Sequence, residues 1–205
     1  MKRLRYFSFV FSILVALSYI AFAFLAFIRY PTSYSPALNW LSDLGSLDLN
    51  PKGAHFYNMG MIITGIFLIP FFLGLSTMKL EDNKVQNNVL FITQLFGLLG
   101  SLSMIMTALY PINYVTPHSF WSAGLYIAIG TSFAFSVAAS RYYPEWPKWL
   151  LLFGAITALS DMLISVFFNT IHVLEWITVS LFLVYCILLG VETKGLKSTV
   201  KSVAN

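Results

Sequence analysis

The sequence predicts an all-α, polytopic membrane protein with six transmembrane helices and both termini on the cytoplasmic side. Three observations predict this fold class. The chain has 205 residues, of which 58% are hydrophobic and only 10% are charged, whereas a soluble domain carries about 25% charged residues. Six apolar runs are each long enough to cross the roughly 30 Å hydrocarbon core of a bilayer. The basic residues collect in alternate loops and near the two ends, which is typical of a multi-pass protein.

The apolar runs set the expected helix positions. All six should be helices, because a backbone in lipid must satisfy its hydrogen bonds within the segment. The first run follows a basic start, but it is longer than the roughly 7–15 residues of a signal-peptide core, so we expect it to be retained. The six predicted spans cover residues 6–28, 55–77, 89–110, 118–140, 148–168 and 172–191. Together they make one domain, residues 1–205, with a long outer loop at 29–54 and a basic tail at 192–205.

The basic residues predict the orientation and the partners. Of the 12 lysines and arginines, only Arg29 and Lys52 fall on the side opposite the termini. The positive-inside rule then puts both termini in the cytoplasm of a cell membrane. The net charge of +4 does not indicate a nucleic-acid partner, since its residues lie in short loops and at the chain ends. Membrane lipids are the expected partners, and the oligomeric state is left open.

The long outer loop is predicted to interact with the bundle rather than act as a plain linker. It contains Trp40 and several leucines, so it could form a short helix that lies on the membrane or dips into the bundle. Asn50-Pro51 is predicted to supply the cap and first position of helix 2. Asn169 or Thr170 is predicted to cap helix 6.

Helix 5 carries a stripe of small residues that includes an acid. Gly154, Ala158, Asp161 and Ser165 are spaced at helical intervals. Small residues on one face allow close helix packing in membranes. The stripe therefore predicts that Asp161 points into the bundle and away from lipid.

Ionisable residues cluster at three helix starts. The stretches Leu41–Tyr57 and Leu159–Trp176 both begin Leu-Ser-Asp and then reach a histidine at nearly the same spacing. The remaining histidine, His118, also opens an apolar run. This pattern suggests three helix-pair units, formed by helices 1–2, 3–4 and 5–6.

The predicted topology brings every histidine to the outer side, where carboxylates also lie. Ionisable side chains are costly in lipid, so they often mark a functional site. One hypothesis is a site for a divalent metal whose identity the sequence leaves open. Zinc is a candidate, because three neutral histidines and a water form a zinc centre that activates the water. The candidate metal ligands are His55, His118 and His172. The candidate catalytic residues are Asp43, Asp161 and Glu175, and the candidate ligand-binding residues are Ser42, Asn58 and Trp121.

Three functions remain open from the sequence. A pocket with these residues could bind a small or lipidic ligand and act as a metal-dependent intramembrane lipid hydrolase. It could belong to a proton- or ion-coupled transporter, which would require polar contacts that continue inward from Asp161. It could also be a polar cluster that packs the helix ends of a structural or accessory protein without catalysis. Whether the protein is an enzyme is therefore undecided at this stage.

The chain resembles a prokaryotic six-helix membrane family, the domain-of-unknown-function family 998. The similarity begins at Asn39–Gly45, whose sequence is NWLSDLG, and continues through Pro51. That family has a Ser-Asp-Leu-Gly element after helix 1, an Asn and a Gly early in helix 2, and a histidine near the start of helix 4. The matching positions are Ser42, Asp43, Leu44, Gly45, Asn58, Gly60 and His118. The resemblance implies the six-helix fold and the topology, and it implies no activity.

Overall fold

The structure is a computed structural model that describes residues 2–167 and 171–196. These residues form long helices, two short 3₁₀ helices and connecting loops, with no strand. The long helices are α1 (Lys2–Phe27), α2 (Ala54–Gly74), α3 (Lys84–Leu109), α4 (Val115–Ser140), α5 (Lys148–Phe167) and α6 (His172–Gly195). The 3₁₀ helices are Leu41–Gly45 and Leu75–Met78. The predicted all-α class with six long helices is confirmed.

All six helices are long and apolar enough to cross a membrane. The bundle also has an apolar exterior, since Leu17, Phe24, Phe91 and Leu152 are all exposed. Many polar side chains, such as those of Thr64 and Ser101, are instead buried inside the bundle. This distribution suits a lipid environment and a multi-pass membrane protein.

The predicted helix bounds differ most at the start of α3. This helix begins at Lys84 rather than at residue 89. The side chain of Asn83 accepts a hydrogen bond from the Gln86 backbone N–H, which caps the helix there. A polar first turn stabilised by a cap lies outside the apolar run, so hydropathy alone places the start too late.

The helices form a closed ring. Each helix packs against the next one in the chain, and α6 packs against α1. Small residues allow three of these contacts: Gly97 of α3 faces the Phe72 ring of α2, Gly130 of α4 faces α5, and Gly154 of α5 faces the Tyr185 ring of α6. The stripe on α5 therefore lies inside the bundle, as predicted, through Gly154, Ala158 and Asp161. Whether the helix pairs are a repeat stays a prediction.

The segment between α1 and α2, residues 28–53, is called the long loop here, and the end of the bundle that it covers is called the long-loop end. Every residue of its 3₁₀ helix Leu41–Gly45 is buried, so the loop dips into the bundle. The prediction that Asn50 caps α2 is wrong, because the N-cap residue is Gly53. The Asn50 side-chain amide instead donates to the carbonyls of Ala26 and Leu44, at 3.2 and 2.9 Å, and joins the loop to the end of α1.

Some predicted features fall outside the described residues. The helix α6 continues to Gly195, so the predicted tail at 192–205 begins within a helix. Residues 197–205 of that tail lie outside the described part. The predicted caps Asn169 and Thr170 lie outside it as well.

Candidate functional site

A pocket lies inside the ring at the long-loop end. It comprises about 650 Å³ of space between the side chains, part of which is open solvent. Every helix contributes to it, and so does the long loop. The lining residues are Tyr19, Ser42, Tyr57, Asn58, Met61, Met104, Thr107, Ala108, Ile112, His118, Ser122, Leu125, Tyr126, Ile129, Asp161, Glu175, Val179 and Phe182.

Asp161 is the deep acid of the pocket. Its side chain is 1% exposed, and its Oδ2 atom is buried without a hydrogen-bond partner. Close packing holds it there, because Gly130 of α4 leaves room for the Asp161 Cβ atom. A larger residue at position 130 would collide with α5, so the helix contact and the placement of the acid depend on each other.

His118 places a second unpartnered atom in the pocket wall. Its Nδ1 atom lies 2.8 Å from the Tyr110 carbonyl oxygen. A carbonyl only accepts hydrogen bonds, so Nδ1 must carry the proton. In a neutral ring the Nε2 atom is then an acceptor, and this atom is buried without a partner. Of the four such atoms in the described part of the chain, His118 Nε2 and Asp161 Oδ2 belong to pocket residues.

Glu175 differs from Asp161 because its acceptors are in use. Its Oε2 atom accepts from the Ser42 backbone N–H at 3.2 Å and from the Ser42 hydroxyl at 3.5 Å. Its Oε1 atom accepts from the Tyr126 hydroxyl at 3.4 Å. One carboxylate thus joins the long loop, α4 and α6 over the pocket.

Three tyrosines complete the polar wall, and the sequence reasoning did not identify them as site residues. The hydroxyls of Tyr19 and Tyr57 lie 2.9 Å apart, and Tyr126 donates to Glu175. All three side chains are buried. A tyrosine in the middle of an apolar helix needs a partner for its hydroxyl when buried. That requirement was the signal in the sequence for Tyr19 and Tyr126.

An aromatic layer closes the inner end of the pocket. Phe182, which lines the pocket, stacks on Phe133 with ring centroids 5.9 Å apart. Phe133 also contacts the Tyr185 ring edge-on at 4.7 Å. On the side away from the pocket, the Tyr185 hydroxyl lies 2.9 Å from the Ser136 hydroxyl. The aromatic rings therefore separate the polar groups of the pocket from this second polar contact.

The structure brings together five of the predicted site residues, Ser42, Asn58, His118, Asp161 and Glu175, which all line the pocket. Asn58 donates its side-chain amide to the Gly45 carbonyl at 3.0 Å, so it also supports the long loop.

The other four predicted site residues, Asp43, His55, Trp121 and His172, are not part of the pocket lining. His55 is exposed, with its ring against Phe56. The His172 ring packs on Trp40 of the long loop, at 4.4 Å between centroids. Trp121 packs edge-on against Phe120.

The prediction that the three histidines form one metal centre is wrong. Within residues 2–167 and 171–196, no group of three or more His, Cys, Asp or Glu side chains could hold a metal ion. The reason is the direction of each ring: His55 faces outward, His172 faces the long loop and only His118 faces the pocket. A shared position near helix starts does not give a shared face.

Asp43 has a structural role in the long loop. Its Oδ2 atom accepts from the Trp40 backbone N–H at 3.0 Å, which closes the 3₁₀ turn. Burial raises the pKa of the Asp43 carboxyl above its ordinary value. This desolvation outweighs the hydrogen bonds from the Trp40 backbone and the Asn39 side chain, which lower the pKa.

The raised pKa of Asp43 predicts a pH-dependent contribution to stability. A carboxyl whose folded pKa exceeds its unfolded value of about 3.9 stabilises the fold below the unfolded pKa, and this contribution is lost as the pH rises through the folded pKa. D43N keeps an oxygen acceptor for the Trp40 N–H and removes the titration. We expect the thermal midpoint of the wild type to fall more across this pH window than that of D43N, and equal pH dependence would contradict the assignment.

The whole pocket falls inside a family match. A family model described as "Protein of unknown function (DUF998)" matches residues 13–192. The chain belongs to the DUF998 family. The match confirms the resemblance drawn from the Ser-Asp-Leu-Gly element, and it runs from α1 to α6 of this DUF998 protein. No curated protein and no solved structure matches the chain. Because the DUF998 description carries no activity, the function must be argued from the pocket.

Proposed function

We propose that this protein binds a small amphiphilic molecule in the pocket at the long-loop end. The observation that carries the proposal is the pair of buried, unpartnered atoms Asp161 Oδ2 and His118 Nε2 in a pocket lined by all six helices. Leaving a buried polar group unsatisfied costs about 1–3 kcal/mol, and such groups normally have a partner. A bound ligand would supply that partner.

The lining supports a ligand with both a polar and an apolar part. Asp161, His118 and the tyrosine hydroxyls provide polar contacts, whereas Met61, Met104 and Phe182 provide apolar surface. Methionine is unbranched and flexible, so its side chain adapts well to a hydrocarbon chain. A single-chain amphiphile drawn from the membrane would suit this mixture.

The proposed orientation places the pocket on the outer side of the cell membrane. At the end opposite the long loop, Lys79 and Arg141 lie in the two connections, and Lys84 and Lys148 begin the helices that follow them. The positive-inside rule assigns such an end, together with both termini, to the cytoplasm. The ligand would then enter from the outer leaflet or the outside solution.

Binding is favoured here over hydrolysis and transport. The hydrolase hypothesis required a histidine-bound metal, and the histidines do not meet. The transport hypothesis required polar contacts continuing inward from Asp161. Phe182, the lining residue of α6 furthest from the start of that helix, instead stacks on the apolar ring of Phe133. An accessory role without a ligand is the remaining alternative, and the following experiment distinguishes it.

Filling the pocket should abolish binding. The side chain of Ala108 is buried and lines the pocket, so we expect A108F to occupy the ligand volume and weaken binding by about tenfold or more, the equivalent of 1.4 kcal/mol. Binding would be measured by calorimetry in nanodiscs of zwitterionic lipid, with octanol, octylammonium and octanoate as probes. The matched control is A155F, because Ala155 is exposed on the lipid side of α5. If no probe binds the wild type more tightly than A108F, the proposed function is wrong.

A further inference from the structure

We propose that the polar end of the ligand is a cation, specifically an ammonium group, and that the Asp161 carboxylate is its counter-ion. This inference rests on the proposed function and specifies the chemical class of its ligand. It follows from which atoms in the pocket are unpartnered, from the charges that line the pocket and from its aromatic wall.

Both unpartnered atoms are hydrogen-bond acceptors when Asp161 is ionised. The Asp161 Oδ2 atom has no donor near it, and His118 Nε2 is an acceptor because Nδ1 donates to the Tyr110 carbonyl. A ligand that satisfies two acceptors must bring donors. A primary ammonium group has three N–H donors and no acceptor, as the lysine side chain does.

The charges of the pocket have one sign. Asp161 and Glu175 are its acids, and no lysine or arginine is among the described residues that line it. An anionic ligand would meet two carboxyl groups without a balancing cation. An isolated charge is costly to bury unless it is paired, so an ionised Asp161 requires a positive partner.

Glu175 does not compete for this role. The Ser42 backbone N–H, the Ser42 hydroxyl and the Tyr126 hydroxyl already donate to it. The protein itself therefore supplies hydrogen-bond donors to the Glu175 oxygens, whereas Asp161 Oδ2 has none. Asp161 is therefore the carboxylate whose charge the ligand must neutralise.

The aromatic wall adds a second feature that favours a cation. Three tyrosines, Tyr19, Tyr57 and Tyr126, are among the residues that line the pocket. Aromatic faces attract ammonium groups, and clusters of such rings recognise alkylated amines. The same wall would gain no such electrostatic attraction from a neutral alcohol.

The test compares octylammonium with octanol, which share a chain length and differ in charge. Binding is measured by calorimetry in nanodiscs of zwitterionic lipid, and the signal of A108F is subtracted to remove partitioning into lipid. We expect the wild type to bind octylammonium about tenfold or more tightly than octanol, since hydrogen bonds to charged groups typically contribute that much. D161N should lose this preference. D48N, which removes an exposed acid near the same end, should keep the preference.

The possible outcomes distinguish a failure of the ammonium assignment from a failure of the proposed function. Pocket-dependent binding of octanol without a preference for octylammonium would overturn the ammonium assignment and leave the proposed function standing. A preference that survives in D161N would overturn the role of Asp161. If D161N does not fold, the comparison of the two probes on the wild type still decides the charge preference. If neither probe binds in a pocket-dependent way, the proposed function itself fails.

Discussion

Replacing Glu175 with alanine is expected to release the long loop and to lower the free energy of unfolding by about 3 kcal/mol or more. Glu175 is 4% exposed and accepts from the Ser42 backbone N–H and from the Tyr126 hydroxyl. E175A leaves these buried donors without an acceptor, and each unsatisfied donor costs about 1–3 kcal/mol. The Trp176 indole N–H still donates to the Asn39 carbonyl of the loop, but this bond leaves the Ser42 N–H without an acceptor.

The loss would be measured in two ways on protein in mild detergent. Thermal unfolding reports the global stability, and limited proteolysis reports whether the long loop has become accessible. E175Q keeps one acceptor oxygen and should lose less stability than E175A. E145A removes an exposed acid at the opposite end and serves as the control. Wild-type stability and wild-type protease resistance in E175A would show that Glu175 does not hold the loop.

The second large effect is expected at the contact between α2 and α3. A Cβ atom at Gly97 would collide with the Phe72 ring. Phe72 is fully buried and contacts the rings of Phe71 and Phe133, so it has little room to move. We therefore expect G97A to lower the free energy of unfolding by about 1–3 kcal/mol, the usual cost of overpacking, and G97L to cost more.

A matched glycine tests whether the effect is steric. Gly124 of α4 also faces another helix, but the nearest atom to an added Cβ is the Ser103 hydroxyl oxygen at 3.3 Å. G124A should therefore stay within about 1 kcal/mol of the wild type, the size of the difference in helix propensity. Unfolding of both variants in a titration with denaturing detergent would check this. Equal losses in G97A and G124A would contradict the packing argument.

The fold could be predicted closely because lipid restricts the possibilities. Six long apolar runs have almost no alternative to six helices. The remaining errors arise where polar groups decide the helix end. Asn83 starts α3 early through a side-chain cap, and Asn50 bonds to the end of α1 rather than capping α2. Hydropathy contains no information about either bond.

The site could be predicted in part. Small residues spaced along α5 were sufficient to place Asp161 inside, because close helix packing needs that face. His172 and Glu175 are three residues apart, a spacing that ordinarily places two side chains on one helix face. Glu175 lines the pocket, whereas His172 begins α6 and packs on Trp40 instead. The path of the long loop decides this, and the apolar pattern does not determine that path.

The bonds between the long loop and α6 have a consequence for biosynthesis. The loop is synthesised after the first helix, but its partners Glu175 and Trp176 belong to the last one. The ring itself also closes only when α6 packs against α1. In a nascent chain that has inserted five helices, the long loop is therefore not yet held over the carboxylate-lined cavity. The ring of helices around the cavity is also incomplete. The enclosed pocket should therefore form in one late step, after the ribosome has delivered the sixth helix to the membrane.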